Sequence, residues 1–295
     1  MLEFRKIELC DKLKVEEYLF GSNFRGCEYT FGNIFLWSNY YNTEICITDE
    51  FCFEKINEDN NIHFVYPYGN GQVKTAVNSI IGYSEHNNIR PVICANKEIT
   101  GKILDLYPNA KANLYRDFCD YIYLADDLEN LKGKKYHGKR NHLNRFYENK
   151  WSFERLNSDN ISECLEMNKL WSKENISENS EDSNDKLAEL DVVQRSLELY
   201  DELGYDGGVL RVDGTVQAFT FGERSSDDTF VVHVEKALRK YQGAYTAINR
   251  EFVKSLEGRY KYINREEDTG AENLRKSKLS YHPVFLEEKY LISFE

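Results

Sequence analysis

The sequence predicts a mixed α/β (α+β) fold with two mixed central sheets flanked by helices, and three observations predict it. Tyr (21) and Phe (17) are abundant and Pro (4) is scarce, a bias toward strands and unbroken helices over linkers. The second half runs strand, helix, helix, three-strand meander, helix, strand, helix, strand. The first half is a looser version of it: helix, two or three strands, helix, strand, helix, strand. At roughly 100–200 residues per domain, the 295 residues suit two such units. They are expected at 1–131 and 151–295, joined by a basic connecting segment at 132–150.

The first half opens with a helix near 13–19, followed by strands at 43–48, 51–55 and 62–66 and a turn at Gly69-Asn70-Gly71. Val73, Val77, Ile80 and Ile81 recur at helical spacing, which predicts a helix over 73–86. A strand at 91–95, a helix at 97–106 and a strand at 121–124 follow. The second half starts with a strand at 151–156. Asn160 and Glu163 form a capping box for a helix over 161–171. The acidic run 172–185 reads as a mobile surface loop. Helical spacing returns over 187–203 until Gly204 ends it. Asp213-Gly214 between 208–212 and 216–222 is a strong hairpin signal. A strand at 230–234 and a helix at 245–256 lead to the strand 260–263. Five polar residues, Asn264 to Asp268, then precede a helix that Pro283 stops. Thr269 and Glu272 form the capping box expected at its start. A final strand is expected over 284–294.

Fifty acidic residues against 38 basic ones give a net charge of −12. That excludes nucleic-acid binding over the whole surface, because phosphate attraction needs a basic face. One local exception is 132–145, where six of fourteen residues are Lys or Arg. The seven cysteines are dispersed and none forms Cys-x-x-Cys. They read as reduced thiols of a cytoplasmic protein, with no spacing suited to structural zinc. No run of 18 apolar residues would cross a membrane, and the N-terminus lacks an apolar signal core.

The polar run after 260–263 is the densest candidate site, since open α/β sheets bind ligands at the ends of their strands. Asn264, Arg265, Glu266, Glu267 and Asp268 suit an aminoacyl group: a carboxylate pairs with an ammonium, and Arg offers a planar fork to a carbonyl or phosphate. The same residues also suit loop salt bridges and a helix start. Gln242, Gly243, Ala244 and Tyr245 lie between a strand and a helix, where backbone N–H groups suit a phosphate or carbonyl oxygen; the plainer reading is a tight turn. Arg275 and Lys278 share a helix face and suit phosphate. Glu235 and Glu267 are each a base or an ammonium anchor, and His233 beside Glu235 is a further base. Lys135, His137, Lys139, Arg140 and Asn141 suit a phosphate, RNA or anionic surface, or a solvated linker. Phe35 and Trp37 read as core.

Three stretches together carry a resemblance: Lys134-Lys135-Tyr136-His137-Gly138-Lys139-Arg140-Asn141-His142, Glu235-Lys236-Ala237 with Gly243-Ala244-Tyr245, and Asn264-Arg265-Glu266-Glu267-Asp268-Thr269-Gly270 with Leu274-Arg275-Lys276-Ser277-Lys278. They resemble a bacterial family related to the C-terminal catalytic domain of phosphatidylglycerol lysyltransferases, many of whose members have unknown function. The resemblance covers roughly 15–290 and implies a tandem of two GNAT-like acyl-CoA N-acyltransferase folds. The lysyltransferases move an aminoacyl group from charged tRNA to a lipid headgroup. Fem-type peptidyltransferases, a similar tandem, move amino acids from tRNA to a peptidoglycan precursor. The resemblance therefore implies acyl or aminoacyl transfer to an amine or hydroxyl. Acyl-CoA or aminoacyl-tRNA would be the donor, and a small molecule, lipid or peptide the acceptor. No metal is required. Two departures bear on this: the chain has no membrane-spanning region, which weakens the case for lipid, and Tyr245 stands where the acetyltransferase loop has Gly, which weakens the case for coenzyme A. The alternative is a non-catalytic small-molecule or RNA-binding protein on the same fold.

Overall fold

The structure is a computed structural model that describes residues 1–58, 61–175 and 183–294. The first half contains β1 (Arg5–Lys6), α1 (Lys12–Ser22), α2 (Phe31–Tyr41), β2 (Glu44–Ile47), β3 (Phe51–Glu58), β4 (Asn61–Gly69), α3 (Val73–His86), β5 (Val92–Asn96), α4 (Lys97–Leu106), β6 (Lys111–Leu114) and β7 (Asp120–Leu124). Two helices follow, α5 (Ala125–Asn130) and α6 (His137–Tyr147). The rest comprises β8 (Trp151–Arg155), α7 (Ile161–Asn175), α8 (Ser183–Glu198), α9 (Tyr200–Leu203), β9 (Asp206–Val212), β10 (Thr215–Arg224), β11 (Thr229–Ala237), α10 (Ala244–Ser255), β12 (Tyr262–Asn264), α11 (Glu272–Leu279), β13 (Phe285–Glu287) and β14 (Lys289–Ser293).

Two seven-stranded sheets result, ordered β1-β2-β3-β4-β5-β14-β6 and β13-β7-β12-β11-β10-β9-β8. The halves exchange strands. β7 precedes residue 131 yet lies between β13 and β12 of the second sheet, while β14 from the C-terminus lies between β5 and β6 of the first. Sheet membership therefore does not divide at 131. The expected last strand splits at Glu288 into β13 and β14, one for each sheet. Its alternating pattern survives because both pieces are extended; only the pairing partner changes, and periodicity carries no information on that.

One core cluster joins the halves. Val15, Leu19, Phe31, Ile34 and Leu36 from α1 and α2 share it with Val192, Val193 and Leu197 from α8 and with Phe219 and Phe221 from β10. On the other side of the second sheet, Leu143 and Phe146 of α6 pack with Ala247 and Ile248 of α10. The segment expected as a connector at 132–150 is thus largely helix, held by apolar residues at positions 143 and 146 between its charges. The expected loop 172–185 also changes in part. Residues 172–175 complete α7 and α8 begins at Ser183; residues 176–182 lie outside the described residues. The hairpin at Asp213-Gly214 forms with both residues at positive φ, 50° and 81°, as a type I′ turn requires.

Candidate functional site

The site exists because two parallel strands part. β11 pairs with β12 only from Thr229–Tyr262 to Val231–Asn264. β11 continues to Ala237, while β12 stops. Asn264 is the reason. Its Oδ1 accepts the Glu266 N–H at 2.7 Å, and its Nδ2 donates to Asp120 Oδ2 and to the Arg25 carbonyl, both at 2.8 Å. That side-chain turn places Glu266 at φ 58° and throws the following residues outward. The loop stays bound to β7 through Arg265 N–H to the Tyr121 carbonyl and Tyr121 N–H to the Glu266 carbonyl.

The gap widens into a cleft of about 1490 Å³. Its walls come from β11, the start of α10, the 265–271 loop, α11, α6, α8 and α2. His233, Glu235, Gln242, Gly243, Ala244, Tyr245, Arg265, Glu266, Glu267, Lys278 and Lys139 all border it. At the start of α10 the first i to i−4 bond runs from Ala247 N–H to the Gly243 carbonyl. The N–H groups of Tyr245 and Thr246 therefore have no acceptor within the helix, and they sit at its positive end.

The charges around the cleft are paired unequally. Glu235 accepts from Arg265 Nη2 at 2.8 Å and from Asn249 Nδ2 at 2.9 Å. Arg265 lies over the Tyr281 ring, and its Nη1 is buried without an acceptor. His233 is held on both ring nitrogens, by Glu266 at 2.8 Å and Glu223 at 3.0 Å. Burial alone would lower its pKa, but the two carboxylates outweigh that and hold it at about 9. At neutral pH it is an imidazolium fixed between two acids, so it cannot accept a proton. Burial pushes the Glu267 carboxyl up to about 7; Lys289 and Lys278 oppose that shift, while Glu266 and Asp120 add to it. Burial, with the Arg265 charge, pushes the Lys139 ammonium down to about 8, and it rests 3.5 Å from the Tyr281 ring centre.

Several expected ligand contacts are scaffolding instead. Asn264 and Asp268 are fully buried and do not border the cleft. Asp268 accepts from Arg275 Nε at 2.9 Å and Nη2 at 2.7 Å, from the Gly270 N–H at 2.9 Å, and from Tyr121. Arg275 also pairs with Asp117 at 2.6 Å, so its fork is spent within the protein. Lys278 reaches the cleft wall, but its ammonium donates to the carbonyls of Arg265 and Glu267; it clamps the loop. The expected capping box is absent: Thr269 has φ 47°, and Ala271 is the cap of α11. Asp268 replaces Thr269 in the turn by accepting the Gly270 N–H.

The basic run divides. Lys139 and His142 border the cleft, and Lys135, His137, Arg140 and Asn141 do not. Arg140 donates to the carbonyls of Leu131 and Gly133, Lys135 pairs with Asp127, and Asn141 meets His137. Gly243 has φ 93°, and a Cβ there would lie 2.0 Å from the His142 carbonyl oxygen. Gly243→Ala is therefore expected to cost about 3 kcal/mol through backbone strain and overpacking. Gly138→Ala meets nothing within 4 Å and is expected to be neutral or mildly stabilising; urea unfolding of the pair checks both.

Other cleft-bordering or supporting residues were not foreseen. Asn33 and Trp37 of α2 border the cleft, so Trp37 is not wholly core. Asn33 Nδ2 donates to Glu266, and the Gly32 N–H donates to Glu223. Trp171 donates to the Tyr245 hydroxyl at 2.9 Å and lies under the Lys236 ammonium. Behind the 264–268 loop, Cys27, Asp120 and Glu267 bring three polar atoms within 4.8 Å of one another. The Lys289 ammonium, 2.8 Å from Asp120 Oδ1, supplies the cation among them. An acid ahead of an apolar strand (Asp120) and a lysine inside one (Lys289) were the available signals.

This arrangement of two mixed sheets, with a cleft where parallel strands part, is a tandem of two GNAT-like acyltransferase folds. The chain belongs to the family described as phosphatidylglycerol lysyltransferase, C-terminal, which matches residues 21–293. A conserved protein of unknown function from Bacteroides thetaiotaomicron VPI-5482 is similar over 100% of both chains, at 34% identity and TM-score 0.93. L-PGS from Bacillus licheniformis shares the fold at TM-score 0.66 and 15% identity, over 96% of this chain and 91% of that one. FemX shares it at TM-score 0.59 and 9% identity, over 98% and 97%. No curated protein matches the chain. Family and fold together support the GNAT-like acyl- or aminoacyltransferase kind. Among the described residues no helix is long and apolar enough to cross a membrane.

Proposed function

We propose that the chain transfers an aminoacyl group from charged tRNA to the amine or hydroxyl of a small acceptor. The observation that carries this is the geometry of the cleft: Glu267, whose buried carboxyl is pushed up to about 7, and the positive end of α10 border it together. The acceptor's nitrogen or oxygen attacks the ester carbonyl, and Glu267 takes the proton it loses. The carbonyl oxygen becomes an oxyanion, which the Tyr245 and Thr246 N–H groups and the unpaired Arg265 Nη1 suit. The terminal ribose hydroxyl of the tRNA leaves and takes a proton in turn. Glu235 holds Arg265 in place, and the His233 imidazolium fixes Glu266.

An aminoacyl donor fits better than acyl-coenzyme A. The α6 backbone lies against Gly243, Arg145 holds Gln242 at 2.8 Å, and Tyr245 stands where the acetyltransferase loop has Gly three residues after its Gln or Arg. The test incubates the purified chain with labelled aminoacyl-tRNAs, or with acyl-coenzyme A species, and a panel of amines and alcohols. Label passing from tRNA to an acceptor supports the proposal. Consumption of acyl-coenzyme A alone makes the donor wrong. Binding without turnover of either leaves the non-catalytic reading in its place.

A further inference from the structure

A closed polar cluster beneath the cleft is not used by the transfer itself. Lys289 is the first residue of β14, the strand that crosses into the first sheet. Its ammonium lies 2.8 Å from Asp120 Oδ1 and 2.8 Å from Glu28 Oε2, and donates to Cys27 Sγ at 3.4 Å. Cys27 Sγ lies 3.4 Å from Glu267 Oε2 and 3.4 Å from Asp120 Oδ1, and the Cys27 N–H donates to Asp120 Oδ2 at 2.7 Å. Cys27, Asp120 and Lys289 are all buried. Three segments far apart in sequence thus converge behind Glu267, a residue that borders the cleft: the turn at 27–29, β7 and β14.

We propose that Lys289 and Cys27 are positioning residues for Glu267: the ammonium orders the thiol, and the thiol donates to Glu267 Oε2 and holds that carboxyl at the cleft. The proposal rests on Glu267 being the base of the proposed function. The ammonium suits this role because it accepts nothing and already donates to Asp120 Oδ1 at 2.8 Å, so the S–H is left to donate to Glu267 Oε2.

The groups facing Glu267 are Lys289 from β14, Cys27 from the 27–29 turn, Asp120 from β7, Lys278 from α11 and the neighbouring Glu266. A hydrogen bond to the ionised carboxyl favours that form. Removing the thiol donor therefore raises the pH at which Glu267 loses its proton, and keeping a donor preserves it. Lys289→Met also uncovers Asp120 and is expected to unfold the chain, so Cys27 carries the test. Side-chain carboxyl ¹³C shifts of glutamate-labelled protein, with Glu267→Gln assigning the signal, read the midpoint directly. The acid limb of transfer is recorded alongside.

Cys27→Ala is expected to raise the Glu267 midpoint by about 0.5–1 pH unit, and Cys27→Ser to leave it near the wild-type value. An unmoved midpoint in folded Cys27→Ala, or equal shifts in both variants, overturns the proposal. A midpoint that moves as expected in a protein that transfers nothing keeps the positioning role and defeats the proposed function instead.

Discussion

Glu267→Gln is expected to slow transfer by about 10²–10⁴-fold, the usual contribution of a positioned general base. The variant keeps the size of the side chain and a carbonyl oxygen for Cys27, but it cannot take a proton. Wild-type transfer should rise with pH through about 7 and level off above it, as Glu267 ionises; the limb at 7 should vanish in the variant. Stability separates this from unfolding. An acid whose folded-state pKa lies above its unfolded value, near 4.3, loses stability as pH rises between the two, because the unfolded chain binds fewer protons there. Replacing Glu267 removes that loss, so Glu267→Gln should be no less stable than wild type at pH 8. Steady-state rates with thermal melts from pH 5 to 9 check both statements. A variant that retains full rate would move the base elsewhere in the cleft.

Asp268→Ala is expected to destabilise the chain by about 3 kcal/mol, in the lower range for breaking a buried ion pair. Asp268 is fully buried and serves Arg275, Arg116, Tyr121 and the Gly270 N–H at once. Arg275 and Arg116 keep 31% and 33% of their side-chain surface exposed, so water recovers part of their loss and keeps the cost from rising further. The four donors turn the loop after Glu267, so its loss should lower activity as well as stability. Burial alone would raise the Asp268 pKa, but the hydrogen bonds from Arg275, Tyr121 and Gly270 outweigh that and depress it below the usual carboxylate range. Its contribution is therefore present above the unfolded value near 3.9 and lost as pH falls toward the folded one. Wild type should lose stability between about pH 4 and 2 more steeply than Asp268→Ala. Urea unfolding across that range measures it.

Much of the fold was legible because its signals are local. Val73–His86 follows from helical spacing, and the Asp213-Gly214 hairpin from turn chemistry. The exchange of β7 and β14 was not legible, since pairing between segments so far apart in the chain leaves no mark on either strand's own pattern. The site was half legible. Glu235, Arg265, Glu266, Glu267 and the start of α10 do meet at one cleft, because a polar run after a parallel strand has few other places to go. Asn264, Asp268 and Arg275 looked like ligand contacts for the same reason, but their donors and acceptors are taken up inside the protein. Composition cannot tell a carboxylate that awaits a ligand from one already saturated by Arg275 and Tyr121. Nor could it reveal that His233 would be caught between two acids, one of them Glu223, held in turn by the Gly32 N–H.

A crystal structure with a 3′-aminoacylamino-adenosine, an unreactive stand-in for the end of charged tRNA, tests the central claim most directly. The amide carbonyl is expected within hydrogen-bond distance of the Tyr245 or Thr246 N–H or of Arg265 Nη1, with Glu267 beside the face open to an acceptor. A ligand seated instead in the separate cavity of about 380 Å³ lined by Lys6, Ser38 and Glu44, or one reaching the cleft with its carbonyl turned away from α10, would contradict it.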